Sequence, residues 1–556
     1  MNSSSPATAT RAITEVMGHR LPAETMGGLF WHRVQAAPDA VGFRFETEQF
    51  TNAEFATLVN RIRASLHRDG AHRGSRIAAF MYNSPLLLAL FMACASDGMV
   101  FCPMNVALRR SDLAYTLGDV EPAVVFFDAE LAEIYLPAAG EVGIGRAVVA
   151  GDVKGLAGAG ITRLDDWLTN ADRTGLAPGI SPSDPLCIIY SGGTTGLPKG
   201  IVMPQFGPVA AALRFSLLAD FSEHETYFSV LQISHSFTPL IALPFCLMYG
   251  HTFCFWKWWS ASRYVDMVAQ LNATISDAFI GMIATLLRTP PRPQDAVLQK
   301  VRVIAGLGGL DAVAMKLRED FQERFGSTTY DLYGFTESNG LVAFERDGDP
   351  RKAGSCGKVC DWFDVIVADK NDFPVPTGET GEVLVRPRVP YTVGLGYHNK
   401  PANTAHTWRN LWIHTGDLAY FDKDGYLFYV GRRNHFLRRR GELISAAEIE
   451  RVVMNFPGVV EVAVVAAPSE FGEDEVRACI VSNKTDFEPR QLIEYLREQV
   501  APFKVPRYID LLDTLPRSGA KREIEKFKLQ ARDLALAWDS AKDSANATYN
   551  KAGRTS

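Results

Sequence analysis

The sequence lacks an apolar run long enough to cross a membrane. Its most apolar segment runs from Pro85 to Ala95 and is followed by Ser96, Asp97 and Gly98. That leaves about a dozen apolar residues where roughly 20 are needed to span a bilayer. We expect a buried helix there and no membrane span. The N-terminal residues, rich in Ser, Ala and Thr, also lack the apolar core of a secretory signal.

A broad excess of positive charge is also missing. The 57 Lys and Arg residues are outnumbered by 63 Asp and Glu residues, which gives a formal net charge of -6. Because nucleic-acid binding depends on a basic surface, we expect no nucleic-acid partner. The eight cysteines are mostly scattered, and no second Cys or His pair accompanies Cys356 and Cys360. This pattern predicts no metal cluster and favours reduced thiols in a cytoplasmic protein.

Strand and helix signals alternate over most of the chain. Short apolar runs that predict buried strands are separated by helical segments, which is typical of an α/β fold with parallel strands. An open sheet covered by helices is the simplest arrangement, with ligands at the carboxyl ends of the strands. The 556 residues are enough for two or three folded units. Predicted strands include 76–80, 99–103, 124–127, 147–150, 186–190, 225–231, 252–256 and 301–304.

A loop rich in glycine and hydroxyl residues follows the predicted strand at 186–190. Its sequence, SGGTTGLPK, covers residues 191–199. Glycines let backbone NH groups point inward, hydroxyl groups donate to anionic oxygens, and Lys199 adds a positive charge. The loop is therefore suited to phosphate groups. No Gly-Lys-Ser/Thr sequence opens a helix here, which excludes the P-loop of nucleoside triphosphatases.

Two further motifs lie downstream of this loop. In DLYGFTE (331–337), Tyr333 is suited to stack on a base, Thr336 to bind a phosphate oxygen and Glu337 to hold Mg²⁺. In HTGD (414–417), the Asp417 carboxylate is suited to accept both ribose hydroxyls, with Arg432 as a second contact. A stretch dense in arginine, 431–442, follows these motifs. Taken singly, each motif also fits an ordinary turn or a solvated basic face.

Together, in this order, the motifs resemble those of the acyl-CoA synthetases in the adenylate-forming superfamily. The resemblance is greatest to carnitine-CoA ligases and to medium- or long-chain acid-CoA ligases, and it extends over about Gly28 to Leu529. It implies an α/β fold with a large N-terminal domain of α/β subdomains and a small β subdomain. A hinge joins this domain to a small, mobile α+β C-terminal domain. One departure is Gly192, which stands where the superfamily's phosphate loop usually has serine.

The resemblance also implies domain boundaries. We expect a tail at 1–27, a large adenylate-binding domain at 28–434 with its β subdomain at about 355–430, a mobile domain at 435–535 and a tail at 536–556. Asn434 stands at the hinge position, which is commonly aspartate or lysine in the family. Two settings of the hinge would serve adenylation and thioester formation. The sequence leaves the effect of Asn434 and the oligomeric state open.

Residue roles follow from the resemblance, motif by motif. The phosphate loop would use Ser191, Gly192, Gly193, Thr194, Thr195, Gly196 and Lys199. The AMP site would use Gly308, Gly309, Tyr333, Gly334, Thr336, Asp417 and Arg432, with Glu337 as the metal ligand. Coenzyme A (CoA) would be approached by Arg438, Arg440, Gly441 and Glu442. The acyl pocket would be formed by His235 as a gate together with Phe237, Gly306 and Gly308, and it predicts a bulky, largely apolar acid.

The C-terminal lysine is the main departure from the family. In the family a lysine after Leu-Pro-Arg-Thr and a short turn reaches the substrate carboxylate and α-phosphate, but here the sequence is LPRSGAKREIEKFKL (515–529). Counted forward from Leu515, the lysine position holds Arg522, and Lys521 lies one residue early. Counted back from IEKFKL, it holds Glu523. A carboxylate at this position would repel both the substrate and the phosphate.

The implied function is formation of an acyl-CoA thioester through an acyl-adenylate. Glu523 predicts that the step from acyl-adenylate and CoA is retained while adenylation is weak or absent, so that a partner adenylating enzyme supplies the acyl-adenylate. The alternative is a complete ligase that uses Lys521, ATP and Mg²⁺. An adenylation enzyme that feeds a carrier protein, a luciferase-like oxidative enzyme and a non-catalytic acyl-nucleotide binding protein also stay open. The expected partners are a small carboxylic acid or its adenylate, and CoA.

Overall fold

Two large sheets organise the N-terminal part of the chain. The computed structural model describes residues 15–152, 160–170, 173–191, 198–304, 312–432, 436–439, 442–469, 473–484, 486–516, 524 and 526–543. The predicted α/β class is confirmed. The simplest expectation of one open sheet is wrong, because the strands divide into an eight-stranded and a seven-stranded sheet.

The first sheet carries the strands on either side of the predicted phosphate loop. Its order is Gly396–Tyr397, Lys199–Pro204, Pro185–Ser191, Val100–Pro103, Arg76–Phe80, Val124–Asp128, Ala147–Ala150 and Ile161–Arg163. The pairs from the third strand onward are parallel, and the first three strands pair antiparallel. The carboxyl ends of the parallel strands therefore lie at the edge where the phosphate loop begins.

The second sheet carries the segment predicted to form the acyl pocket. Its order is Thr328–Tyr330, Arg302–Ile304, Ile275–Asp277, Thr226–Ser229, Thr252–Phe255, Val41–Phe45 and Glu48–Thr51. All neighbours are parallel except the last pair, which is antiparallel. The polar segment that contains His235 follows the strand Thr226–Ser229, at the carboxyl end of this sheet.

One apolar core joins the two sheets. It contains Phe101 and Ile189 from the first sheet, Phe43 and Tyr227 from the second, and the helix Pro85–Asp97. That helix begins as predicted, because Leu87 N donates to the Ser84 hydroxyl at 3.2 Å and proline occupies the first turn. Its side chains from Leu87 onward are buried, and the helix packs on the helices Met26–Ala36 and Asn52–Arg68 and on the strand Val100–Pro103. Among the described residues, no helix is both long and apolar enough to cross a bilayer.

Further helices cover the sheets or connect their strands. In the N-terminal part they are Met26–Ala36, Asn52–Arg68, Arg110–Val120, Ala132–Val142, Leu164–Trp167, Phe206–Phe215, Leu243–Tyr249, Ala261–Leu271, Ile280–Leu287, Ala312–Phe325 and Pro401–Thr407. A π-helical turn, Thr238–Ala242, precedes the helix Leu243–Tyr249. All eight cysteines are buried and none forms a disulfide. No group of metal-ligating side chains occurs among the residues that the structure describes.

The small β unit and the C-terminal unit each contain a four-stranded sheet of their own. The small unit is an antiparallel sheet of Phe363–Ala368, Gly381–Pro387, Ile413–Phe421 and Leu427–Arg432. The C-terminal unit opens with a hairpin of Phe436–Arg439 and Glu442–Ser445. Its main sheet has the order Val459–Pro468, Asp474–Ser482, Tyr508–Leu511 and Trp538–Asp539. Its helices are Ala446–Val453 and Pro489–Gln499, and a short helix spans Lys526–Gln530.

Candidate active site

The two ends of the predicted phosphate loop lie side by side. Strands Pro185–Ser191 and Lys199–Pro204 pair antiparallel, with Ser191 opposite Lys199. Lys199 is buried, and its Nζ lies 5.1 Å from the centre of the Tyr397 ring. The pKa of Lys199 lies below its usual value, mainly because the side chain is buried. The nearby Glu337 carboxylate partly opposes this effect, and Lys400 adds to it. Lys199, at the end of the predicted phosphate loop, therefore lies near the carboxylate of Glu337.

Glu337 is fixed by contacts at both its backbone and its side chain. It lies in the short 3-10 turn Thr336–Ser338, and Gly394 N donates to its carbonyl oxygen at 2.8 Å. The Tyr397 hydroxyl donates to Glu337 Oε1 at 2.7 Å. The carboxylate thus has a defined orientation next to Lys199. A carboxylate held in this way is an oxygen ligand of the kind that Mg²⁺ prefers, so the side chains present fit that ion.

Tyr397 and Lys400 are site residues that the sequence analysis missed. Tyr397 pairs with Ile201 at the edge of the first sheet, which places its ring beside Lys199. Lys400 Nζ lies 3.5 Å from Asp119 Oδ1. The available signal was the segment GLGYHNKP (394–401), in which Gly396 has a φ of 126°. A strand of two residues is too short to be recognised from periodicity.

Replacing Tyr397 with phenylalanine is expected to weaken MgATP binding about 3- to 10-fold, because one hydrogen bond to a carboxylate is lost. Isothermal titration calorimetry would measure this change. Tyr391→Phe is a matched control, since Tyr391 lies just before this segment and is 42% exposed. An unchanged affinity in Tyr397→Phe, or an equal loss in the control, would show that this hydroxyl does not orient Glu337.

Tyr333 and Asp417 form a buried pair. The Tyr333 hydroxyl donates to Asp417 Oδ2 at 2.8 Å, and both side chains are less than a tenth exposed. Asp417 lies directly opposite Arg432 in the antiparallel pairing of their strands. The Tyr429 ring centre lies 6.1 Å from that of Tyr333. The structure therefore brings the predicted base and ribose residues together. Tyr333 precedes Thr336 and Glu337 by only a few residues in the chain.

Gly334 lies where the segment of Tyr333 approaches another part of the backbone. A Cβ atom there would lie 2.7 Å from both Gly340 C and Leu341 N. These are backbone atoms, which do not move aside as the end of a flexible side chain does. Only glycine allows this close approach between the residue after Tyr333 and the backbone that follows the turn of Glu337.

A Gly334→Ala variant is expected to lose about 2 kcal/mol of the free energy of unfolding, because the added methyl group overpacks a backbone contact. Urea denaturation would measure the loss. Gly140→Ala serves as control, since a Cβ at Gly140 meets nothing within 4 Å and the residue lies in a helix. A stability equal to that of the wild-type protein would contradict the close packing described for Gly334.

His235 and Phe237 lie together near the second sheet. His235 is half-buried, and its ring centre lies 5.3 Å from that of Phe279. Phe237 is buried, and its ring centre lies 6.1 Å from the same phenylalanine. Phe237 N donates to His235 Nδ1 at 3.3 Å, which fixes the imidazole. The arrangement gives an aromatic surface with one titratable group.

Two buried polar residues anchor the segment before His235. Asp277 accepts hydrogen bonds from Ser229 Oγ at 2.7 Å and Val230 N at 2.8 Å, and burial raises its pKa to about 7. Asn83, from the first sheet, donates to Leu231 O at 3.0 Å and accepts from Ile233 N at 2.8 Å. These contacts connect the loops at the ends of the two sheets. Neither residue was singled out from the sequence.

The C-terminal hairpin contacts the large domain. Asn105 Nδ2 donates to Glu442 Oε1 at 3.1 Å, and burial raises the pKa of Glu442. Arg438 lies opposite Leu443 in the hairpin.

Several predicted residues lie outside the described residues: Gly192, Gly193, Thr194, Thr195, Gly196, Gly306, Gly308, Gly309, Asn434, Arg440, Gly441, Lys521, Arg522 and Glu523. The side chains of Arg432 and Arg438 are likewise not described.

Curated relatives match nearly the whole chain. A crotonobetaine/carnitine–CoA ligase of Salmonella agona is 26% identical over 489 residues, covering 86% of this chain and 92% of the relative. The protein of that name from Escherichia coli O157:H7 is 25% identical over 521 residues, covering 92% and 96%. Both relatives are named as acid–CoA ligases.

Solved structures share the fold. The o-succinylbenzoate CoA synthetase of Bacillus subtilis, as a double mutant bound with its product analogue OSB-NCoA, has a TM-score of 0.79 at 22% identity, covering 91% of this chain and 98% of that chain. The same enzyme in complex with AMP has a TM-score of 0.64 at the same identity and coverage. An amide bond synthetase of Marinactinospora thermotolerans has a TM-score of 0.79 at 20% identity, covering 90% and 99%.

Two family models match the chain, one in its N-terminal part and one in its C-terminal part. The model for AMP-binding enzymes matches residues 30–398, and the model for the C-terminal domain of AMP-binding enzymes matches residues 448–522. The first match spans more than half of the chain and includes Lys199, Tyr333 and Glu337. The chain therefore belongs to the AMP-binding enzymes, the adenylate-forming superfamily that includes the acid–CoA ligases.

Proposed function

We propose that the chain is an acid–CoA ligase that forms an acyl-CoA thioester through an acyl-adenylate. The observations that carry this proposal are the convergence of Lys199, Glu337 and Tyr397 and the buried pair of Tyr333 and Asp417, whose tyrosine shortly precedes Glu337 in the chain. A cation and an oriented carboxylate suit phosphate groups and Mg²⁺, and the Tyr–Asp pair suits a nucleoside. These are the groups that an acyl-adenylate site needs.

In the first half-reaction, a carboxylate oxygen of the acid forms a bond to the α-phosphorus of ATP, and the bond to pyrophosphate breaks. Lys199 and Thr336 would hold phosphate oxygens, and Glu337 is the carboxylate that would hold Mg²⁺. Bound Mg²⁺ supplies positive charge that neutralises the phosphates. Tyr397 keeps the Glu337 carboxylate oriented.

In the second half-reaction, the sulfur of CoA forms a bond to the acyl carbon, and the bond from that carbon to the phosphate oxygen of AMP breaks. Asp417 is placed to retain the ribose of the adenylate during this exchange. The C-terminal hairpin, which the resemblance relates to CoA, contacts the large domain through Glu442 and Asn105. This contact supports a role for the hairpin in the second step.

The acid is proposed to be bulky and largely apolar. The ring of Phe279 contacts both His235 and Phe237, so the predicted gate lies within an aromatic cluster. Apolar surface of this kind stabilises an acyl chain or ring by removing it from water. Because curated relatives are named for crotonobetaine and carnitine, a substrate panel should include small quaternary ammonium acids beside aromatic and aliphatic ones.

Adenylation is proposed to be the weaker half-reaction. This part of the proposal depends on the sequence at 515–529, where Glu523 occupies the lysine position counted from the C-terminal side, and on Gly192 in the phosphate loop. A partner adenylating enzyme would then supply the acyl-adenylate. The competing hypothesis is a complete ATP-dependent ligase in which Lys521 performs the usual role.

The acceptor of the acyl group distinguishes the proposal from its rivals. Purified protein would be given synthetic acyl-adenylates with free CoA, with a phosphopantetheinyl carrier protein, or with no thiol. We expect acyl transfer to free CoA only. Transfer to the carrier alone would identify an adenylation enzyme that feeds a carrier. Tight binding of acyl-adenylate without transfer to any thiol would identify a non-catalytic binding protein.

A further inference from the structure

A charged cluster is buried where the C-terminal domain meets the large domain. Asp112 lies in the first turn of the helix Arg110–Val120, Glu448 in the helix Ala446–Val453, and Lys504 at the end of the short turn Pro502–Lys504. Lys504 Nζ lies 3.4 Å from Asp112 Oδ2 and also donates to Glu448 Oε1. The side chains of Asp112 and Glu448 are 1% exposed and that of Lys504 is 6% exposed.

The three charges depend on one another. Burial lowers the pKa of Lys504, but the carboxylates of Glu448 and Asp112 raise it above its usual value. Lys504 and Glu448 belong to the C-terminal domain, whereas Asp112 belongs to the large domain. The pair of Lys504 with Glu448 is therefore retained wherever the C-terminal domain lies, while the contact of Lys504 with Asp112 requires the present arrangement. Without Asp112, Lys504 and Glu448 would still neutralise each other, but the buried ionic contact between the two domains would be lost.

Two neighbouring hydrogen bonds extend this interface. Asn105 Nδ2 donates to Glu442 Oε1 at 3.1 Å, and Ser111 Oγ donates to Gln499 O at 3.0 Å. Glu442 lies in the hairpin that precedes the helix of Glu448. The Asp112 contact thus fixes the same face of the C-terminal domain that carries the proposed CoA hairpin.

The solved neighbours provide a second, independent observation. The two structures of the Bacillus subtilis synthetase differ, and the present chain superposes better on the one bound with the CoA product analogue than on the one bound with AMP. Identity and coverage are the same in both comparisons. The present chain, with the Asp112 contact in place, is therefore more similar overall to the structure that holds the CoA product analogue.

We propose that Asp112 is a positioning residue for thioester formation: by pairing with Lys504, it holds the C-terminal domain in the arrangement used by the second half-reaction. The inference rests on the proposed function. Asp112 acts on the domain and not on the reacting atoms, so the binding of acyl-adenylate to the large domain is independent of it.

The test compares Asp112→Asn with the wild-type protein. Thioester formation from acyl-adenylate and CoA is expected to fall about tenfold in kcat, which corresponds to about 1.4 kcal/mol. The affinity for a non-hydrolysable acyl-adenylate analogue is expected to stay unchanged. Asp112→Glu, which keeps the charge, should retain most of the activity. Asp165→Asn is the matched control, since it removes the same charge from an exposed site in the same domain.

A distance measurement keeps the inference testable without activity. Spin labels at Leu136→Cys and Val460→Cys would report the separation of the two domains, since both positions are exposed and the native cysteines are buried. We expect one dominant distance, which broadens or shifts in Asp112→Asn and persists in Asp112→Glu. An unchanged distance distribution, or equal losses of thioester formation and analogue binding, would overturn the inference. If the wild-type protein forms no thioester, the proposed function fails, and the distances alone decide whether Asp112 holds the domain.

Discussion

A Glu523→Lys variant is expected to release pyrophosphate from ATP and acid about 10²- to 10³-fold faster than the wild-type protein. The reason is electrostatic: negative charge develops on the phosphate as the acid attacks it, and a carboxylate in the lysine position opposes that charge. A lysine there would stabilise it. A continuous assay of pyrophosphate with the acid panel measures the gain, and acyl-CoA formation from synthetic acyl-adenylate should change little.

Two control variants give this prediction its meaning. Glu494→Lys introduces the same charge change at an exposed position of the C-terminal domain and should release pyrophosphate at the wild-type rate. Lys521→Ala separates the two hypotheses for the lysine, because it abolishes pyrophosphate release only if Lys521 is the working residue. A wild-type protein with high pyrophosphate release that is lost in Lys521→Ala would establish the complete ligase instead.

An Asp417→Ala variant is expected to lower kcat/KM for acyl-adenylate in thioester formation about 10²- to 10⁴-fold. The proposed ribose contacts are hydrogen bonds to a carboxylate, each contributing about 1.5 to 3 kcal/mol, so the loss of two accounts for this range. The change also leaves the buried Tyr333 hydroxyl without its acceptor. Rates measured at varied acyl-adenylate concentration should show a raised KM.

Asp417→Asn and Tyr333→Phe separate the causes of that loss. Asp417→Asn keeps one acceptor oxygen and should lie between the wild-type protein and Asp417→Ala. Tyr333→Phe removes only the hydroxyl that contacts Asp417 and should cost less than Asp417→Ala. Glu379→Ala, at an exposed position, should have no effect. Full activity of Asp417→Ala with acyl-adenylate would remove Asp417 from the nucleotide site.

Local sequence patterns predicted the elements of this fold better than their grouping. The strand at 124–127 and the apolar helix that begins at Pro85 can be predicted from neighbouring residues, and both are present as expected. The division into two sheets was implied only by the resemblance, as α/β subdomains, and not by the strand pattern. It depends on which parallel strands pair, for example Phe253 with Phe43, and those partners are far apart in the chain.

The residues of the candidate site likewise fall into two groups: those that local motifs predicted and those that only the fold brings together. Lys199, Tyr333, Glu337 and Asp417 were found because each lies in a motif with a recognisable spacing. Tyr397 was not found, since its contacts with Lys199 and Glu337 join segments with no shared local pattern. Long-range pairs of this kind are fixed by packing and not by local propensity.

The contact between Asp112 and Lys504, which joins the two domains, could not be predicted from the sequence either. Asp112 and Lys504 are separated by 392 residues, and each is an ordinary charged residue in its own helix or turn. Only the fold shows that both are buried at the same boundary. Burial also turns Asp277, an unremarked residue at a strand end, into a group whose pKa rises to about 7.

The most direct test of this account is a pair of parallel assays on the wild-type protein. One measures pyrophosphate release from ATP with the acid panel, and the other measures acyl-CoA formation from synthetic acyl-adenylates and free CoA. The account predicts acyl-CoA formation in the second assay with little or no pyrophosphate in the first. Absence of acyl-CoA from every acyl-adenylate in the panel would contradict the proposed function.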